Sequence, residues 1–128
     1  MTNTKLFIDS SIWLEYFLHT AELVGKMMES PDGRLLTSII CFHEVRRKLL
    51  KMNANEAYIK EVIRFMRENS TIVPVDEDIA VKSAELSVKH RLATADSIIY
   101  QSALASNALL MTADNDFRGL SNAQVVTL

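Results

Sequence analysis

The sequence is sparing in the residues that staple or punctuate a chain. It holds 1 cysteine, 2 prolines and 3 glycines in 128 residues. A single cysteine, Cys41, excludes an internal disulfide, and within Ile39-Ile40-Cys41-Phe42 it reads as core packing. As a nucleophile it would need a base on its own helix face, which His43, two residues on, does not share. With so few glycines and prolines, and no repeat or linker, residues 1–128 read as one domain. No apolar run approaches the roughly 18 residues of a membrane span. No signal-like N-terminus is seen, so a reducing, cytoplasmic setting is expected. There is no Gly-rich phosphate loop, and His19, His43 and His90 share no metal-ligand spacing. Net charge is −2, which gives no global basic signature for nucleic acid.

What is present is a globular composition, 48% apolar and 23% charged. Leu6-Phe7-Ile8 is too short for a helix, fits a buried strand, and stops at Asp9. Helices are expected from Ser11 to Leu18 and from Ala21 to Ser30, the second ended by a Pro31-Asp32-Gly33 turn. Leu35-Leu36-Thr37 reads as a strand, and Ser38 as the cap of a helix whose Phe42, Val45, Leu49 and Met52 recur at helical spacing. Asn53-Ala54-Asn55 breaks it, and Ile59, Val62, Ile63 and Met66 mark a further helix. Thr71 to Val75 is a strand whose proline suits an edge or an end. Asp76 caps a helix reaching His90, and a small-residue helix runs from Thr94 towards Asn107. Leu109 to Thr112 and Val125-Val126-Thr127 complete the strands. This alternation predicts a three-layer α/β/α domain around a mainly parallel sheet of four to five strands.

Five acids follow or flank the strand ends: Asp9, Glu44, Asp96, Asp114 and Asp116. In a parallel sheet those ends share one edge, where open α/β folds place their crevices. Carboxylates gathered there would repel one another, and a divalent cation such as Mg²⁺ or Mn²⁺ would relieve that. Such a cation can activate water and neutralise a phosphodiester under in-line attack. Plainer readings stay open at this point. Asp96 and Glu44 suit first-turn dipole positions, Glu44 has Lys48 four residues on, and Asp114-Asn115-Asp116 can be an ordinary turn. Ser11 stands where haloacid-dehalogenase phosphatases carry a second Asp, which argues against aspartyl-phosphate chemistry. Residues 43–69 hold seven basic side chains against four acids. Arg46 and Arg47, within a turn of Glu44, are candidate phosphate contacts, with a solvated helical face as the alternative.

Four segments carry a resemblance: Phe7-Ile8-Asp9-Ser10-Ser11-Ile12-Trp13, Phe42-His43-Glu44-Val45, Leu92 to Ile99 around Asp96, and Leu110 to Phe117 around Asp114. In that order they resemble the motifs of PIN-domain ribonucleases, in particular VapC-type toxins of toxin–antitoxin pairs. The resemblance implies a Mg²⁺- or Mn²⁺-dependent endoribonuclease with Asp9, Glu44, Asp96 and Asp114 as catalytic and metal-binding acids. It matches Ser10 (or Ser11) and Thr112 to supporting hydroxyls, and implies a homodimer and a small antitoxin that blocks the site. Two departures stand out. Arg91 lies where the family often has glycine, as a substrate contact or a turn residue. Only Asn115 separates Asp114 from Asp116, which makes Asp116 an alternate or outer ligand. The rivals are a non-catalytic RNA- or protein-binding module of the same fold and a metal-dependent phosphatase.

Overall fold

The computed structural model describes residues 5–19, 22–29 and 34–127; the Pro31-Asp32-Gly33 turn lies outside them. Among the described residues, five strands form one parallel sheet: β1 (Lys5–Ile8), β2 (Arg34–Ser38), β3 (Thr71–Val73), β4 (Leu109–Thr112) and β5 (Ala123–Val125). Six helices of the described residues flank them: α1 (Ser10–Leu18), α2 (Glu22–Met28), α3 (Ile39–Lys51), α4 (Glu56–Asn69), α5 (Glu77–His90) and α6 (Thr94–Ala105). The result is the expected three-layer α/β/α arrangement. None of the described helices is long and apolar enough to cross a membrane.

The strand order is β3-β2-β1-β4-β5. The chain steps outward from β1 to β3, then returns across the sheet to β4 and β5. The order therefore reverses between β1 and β4, and a crevice opens at such a switch point, beyond the carboxyl ends of the strands. β1 is the centre, with Phe7 paired to Leu36 on one side and Leu110 on the other. Both Phe7 and Ile8 are fully buried, as a strand covered on two faces requires.

Capping residues set the helix starts. Ser38, Asn55 and Asp76 each accept a backbone N–H from the first turn of α3, α4 and α5. In α4 Ile59, Val62 and Met66 are buried as their spacing predicts, while Ile63, expected with them, is half-buried. In α3 Cys41, Val45 and Leu49 are buried as expected, while Phe42 is half-buried and Met52, expected with them, is 50% exposed just past the helix end. β5 also starts two residues earlier than its Val125-Val126-Thr127 signal. Pairing Leu110 with Ala123 and Thr112 with Val125 draws Ala123 and Gln124 into the strand.

Trp13 locks α1 to the sheet. Its ring is fully buried, and its Nε1–H donates to Thr37 Oγ1 at 3.0 Å. Thr37 in turn donates to the carbonyl of Ile8 at 2.8 Å, next to the end of β1. Phe17 and Phe65 extend the aromatic cluster, with ring centroids 6.4 Å from Trp13 in each case. Trp13→Phe removes one buried hydrogen bond and some volume. We expect a loss of about 2 kcal/mol, read as a lower urea midpoint at unchanged slope by circular dichroism.

Candidate active site

Asp9 is the first residue past β1 and the N-cap of α1, yet its side chain caps nothing. An N-cap aspartate ordinarily accepts from the helix's own N–H groups. Here the carboxylate reaches across to β4 instead. Its Oδ2 accepts from Thr112 Oγ1 and from Ser11 Oγ, both at 2.7 Å. Ser11 also accepts the Ala113 N–H at 2.9 Å, and Thr112 accepts the Asp114 N–H at 3.0 Å. Two hydroxyls and two backbone donors thus tie the end of β1 to the end of β4. The other oxygen, Asp9 Oδ1, is buried and has no partner among the described residues. A buried carboxylate oxygen left unsatisfied is costly.

The other acids arrive from the next elements. Glu44 lies in the second turn of α3, and its Oε1 accepts from Ser10 Oγ at 2.9 Å. Ser10, not Lys48, is therefore its recorded partner. Asp96 sits in the first turn of α6, whose N-cap is Ala93, so Asp96 does not serve as the cap. Asp114 and Asp116 follow β4 in a short 3-10 turn (Asn115–Phe117), with Asp114 Oδ1 accepting the Asp116 N–H at 2.9 Å.

The carboxylates fall into two triads. Asp9 and Glu44 join Cys41, and Asp96 joins Asp114 and Asp116, each triad with ligand atoms within 4.8 Å of one another. Cys41 was missed as a neighbour of the site, although one helical turn separates it from Glu44. Burial drives its thiol pKa up and the Asp9 charge adds to this, so it is a poor nucleophile.

The triads feel each other's charge. Asp96 is pushed up to about 7, first by burial and then by repulsion from Asp114, Asp9, Glu44 and Asp116. Burial raises Asp9 too, against the Thr112 and Ser11 hydrogen bonds, with Asp114 adding repulsion. Glu44 is raised by burial and by repulsion from Asp9 and Asp114, against the hydrogen bond from Ser10. Asp114 thus bears on Asp9, Glu44 and Asp96. Uncompensated negative charge and an orphaned buried oxygen fit a divalent cation: the donors are hard oxygens, the set Mg²⁺ and Mn²⁺ prefer.

Arg46 is ion-paired to Glu56 of α4 at 3.0 Å, and Arg47 is exposed. Arg91 ends α5 in the left-handed conformation, φ 56°, which explains why glycine would serve at this position.

Comparisons with known proteins bear on the fold and the family. No curated protein matches the sequence significantly. A toxin–antitoxin complex chain from Klebsiella pneumoniae superposes with a TM-score of 0.78 at 21% identity, covering 94% of this chain and 96% of that one. VapBC-1 from nontypeable Haemophilus influenzae gives 0.76 at 18% identity, with 96% and 97% covered. VapC20 from Mycobacterium tuberculosis, a sarcin–ricin-loop cleaving toxin, gives 0.73 at 17% identity, with 91% and 95% covered. At these identities the likeness is one of fold. The PIN domain family model, however, matches residues 6–122, which takes in all five acids, and the chain belongs to the PIN domain family.

Proposed function

We propose that the protein is a Mg²⁺- or Mn²⁺-dependent endoribonuclease, the toxin of a toxin–antitoxin pair. The observation that carries the reading is the buried, unpartnered Oδ1 of Asp9 amid carboxyls that burial and mutual repulsion raise. Asp9, Glu44, Asp96 and Asp114 would hold the cation. Asp114 is preferred over Asp116 because its charge acts on all three other acids. A divalent cation, when bound, supplies activation of water and charge neutralisation on the phosphodiester. The chain's part is to fix its oxygens: Ser11 and Thr112 hold Asp9, and Ser10 holds Glu44. Water adds to phosphorus in line, the bond to the 3′-oxygen breaks, and the products end in a 3′-hydroxyl and a 5′-phosphate. An antitoxin partner is supported by the fold likeness to a chain of a toxin–antitoxin complex. A homodimer and a cytoplasmic setting belong to the same reading.

The test is incubation of single-stranded RNA with Mn²⁺, with DNA of equal sequence alongside. Expected are 5′-phosphorylated RNA fragments that vanish with chelator. Turnover of a small phosphomonoester with inert RNA would establish a phosphatase instead. RNA binding without cleavage, and no cation uptake by calorimetry, would establish a non-catalytic module.

A further inference from the structure

A second feature lies between α3 and α4. It is a groove of about 590 Å³ lined by Phe42, His43, Arg46, Lys60, Ile63 and Arg67, with Glu56 and Arg64 at its walls. Lys60, Arg64 and Arg67 follow one another at i, i+4 and i+7, which places them along one side of α4. Arg46 is held by Glu56, and Arg64 by Glu68 at 2.9 Å. Lys60 and Arg67 make no ion pair among the described residues. The floor is apolar, with the half-buried ring of Phe42 and the side chain of Ile63.

From this arrangement we infer that the α3–α4 groove is a single-stranded RNA track, with Lys60 and Arg67 on the phosphates and Phe42 as a stacking platform for a base. Cations along a groove with an aromatic floor are the combination by which proteins hold single strands without sequence readout. Continuity with the acids supports the assignment. His43 lines the groove and directly precedes Glu44 in α3, so the groove and the acids share one helix. An acidic peptide would gain from the same cations, but its carboxylate side chains offer no flat ring to stack on Phe42, as a base does. A phosphodiester arriving at the acids is what the proposed nuclease needs. The inference rests on that reading and deepens it.

The experiment measures binding of a fluorescein-labelled single-stranded 12-mer RNA in chelator, by polarisation, across a salt series. Lys60→Glu combined with Arg67→Glu is expected to weaken binding at least about tenfold and to flatten the slope of log K against log salt by about 1.4, at about 0.7 per lost phosphate contact. Lys60→Gln with Arg67→Gln should give a smaller loss in the same direction. Phe42→Leu keeps apolar bulk and should weaken binding several-fold at unchanged salt slope, the mark of lost stacking. Circular dichroism checks that each variant is folded. Unchanged affinity and slope in the charge-reversed protein overturn the inference. So does a poly-glutamate peptide whose binding is lost in that protein while RNA binding persists. Because chelator removes cleavage from the measurement, the two readings fail separately. Wild-type protein that binds RNA but cuts none with Mn²⁺ counts against the nuclease. Protein that cuts RNA, with binding indifferent to Lys60 and Arg67, counts against the track.

Discussion

Asp9→Asn is expected to lower RNA cleavage with Mn²⁺ by at least about a thousandfold, the scale of removing one essential electrostatic group from a site, and yet to raise the melting temperature of the cation-free protein. Both effects come from the same atoms. The amide keeps an oxygen for the Ser11 and Thr112 hydroxyls, which lie 2.7 Å from the native carboxylate. It removes a buried negative charge that Asp114 repels. The fold is thereby relieved, and the oxygen best placed to hold a cation is lost, a trade of stability against function common at active sites. Single-turnover cleavage and a melting curve in chelator check the two halves. Cleavage at the wild-type rate would remove Asp9 from the mechanism and with it the proposed metal centre.

The second large effect is on stability as pH changes. Asp96 titrates near 7 in the folded chain and near 4 in the unfolded one. A raised carboxyl binds more protons folded than unfolded. Its contribution is therefore complete below pH 4 and is lost as pH rises through 7. The full shift would correspond to about 4 kcal/mol, but Asp96 is half-buried and water screens part of it, so about 2 kcal/mol is expected. Asp9 and Glu44 are raised as well and act in the same direction. In chelator the melting temperature should fall by roughly 6–10 °C between pH 5 and pH 8. Millimolar Mn²⁺ should restore most of it at pH 8 and little at pH 5, because the cation competes with protons for the same oxygens. A flat profile in chelator would mean that the carboxyls do not crowd one another.

Most of the frame is legible in the sequence because period and punctuation report it directly. Leu6 to Ile8 ends on a charge, Ser38 and Asp76 stand at helix starts, and Ile59, Val62 and Met66 keep helical spacing. Strand limits are less legible. Val125-Val126 marks β propensity, but hydrogen bonding to β4 decides which residues pair, and it recruits Ala123 and Gln124. In α3 the sequence marks both Cys41 and Phe42 as inward, and the structure buries Cys41, which fits beneath the Ile8 carbonyl 3.7 Å away, while the bulkier Phe42 stays half-buried. The acids themselves are visible as strand-end charges. Their division into two triads is not, since it depends on the side on which α6 and the 3-10 turn present their oxygens. The α3–α4 groove is hidden for a similar reason. A count shows that residues 43–69 are basic, but the groove depends on how two helices pack.

The bond from Thr112 to Asp9 joins residues 103 positions apart. That span has a consequence in time. A ribosome delivers Asp9 103 residues before Thr112, so a growing chain can pair β1 with β2, and β2 with β3, while its first acid still lacks the hydroxyl that orients it. Asp96 and Asp114 also emerge late. Interrupted or truncated synthesis leaves fragments with scattered carboxylates and no centre. Closing the middle of a parallel sheet through so distant a contact is also slow. The proposed nuclease would thus remain inert until the segment that carries Thr112 and Asp114 has been made.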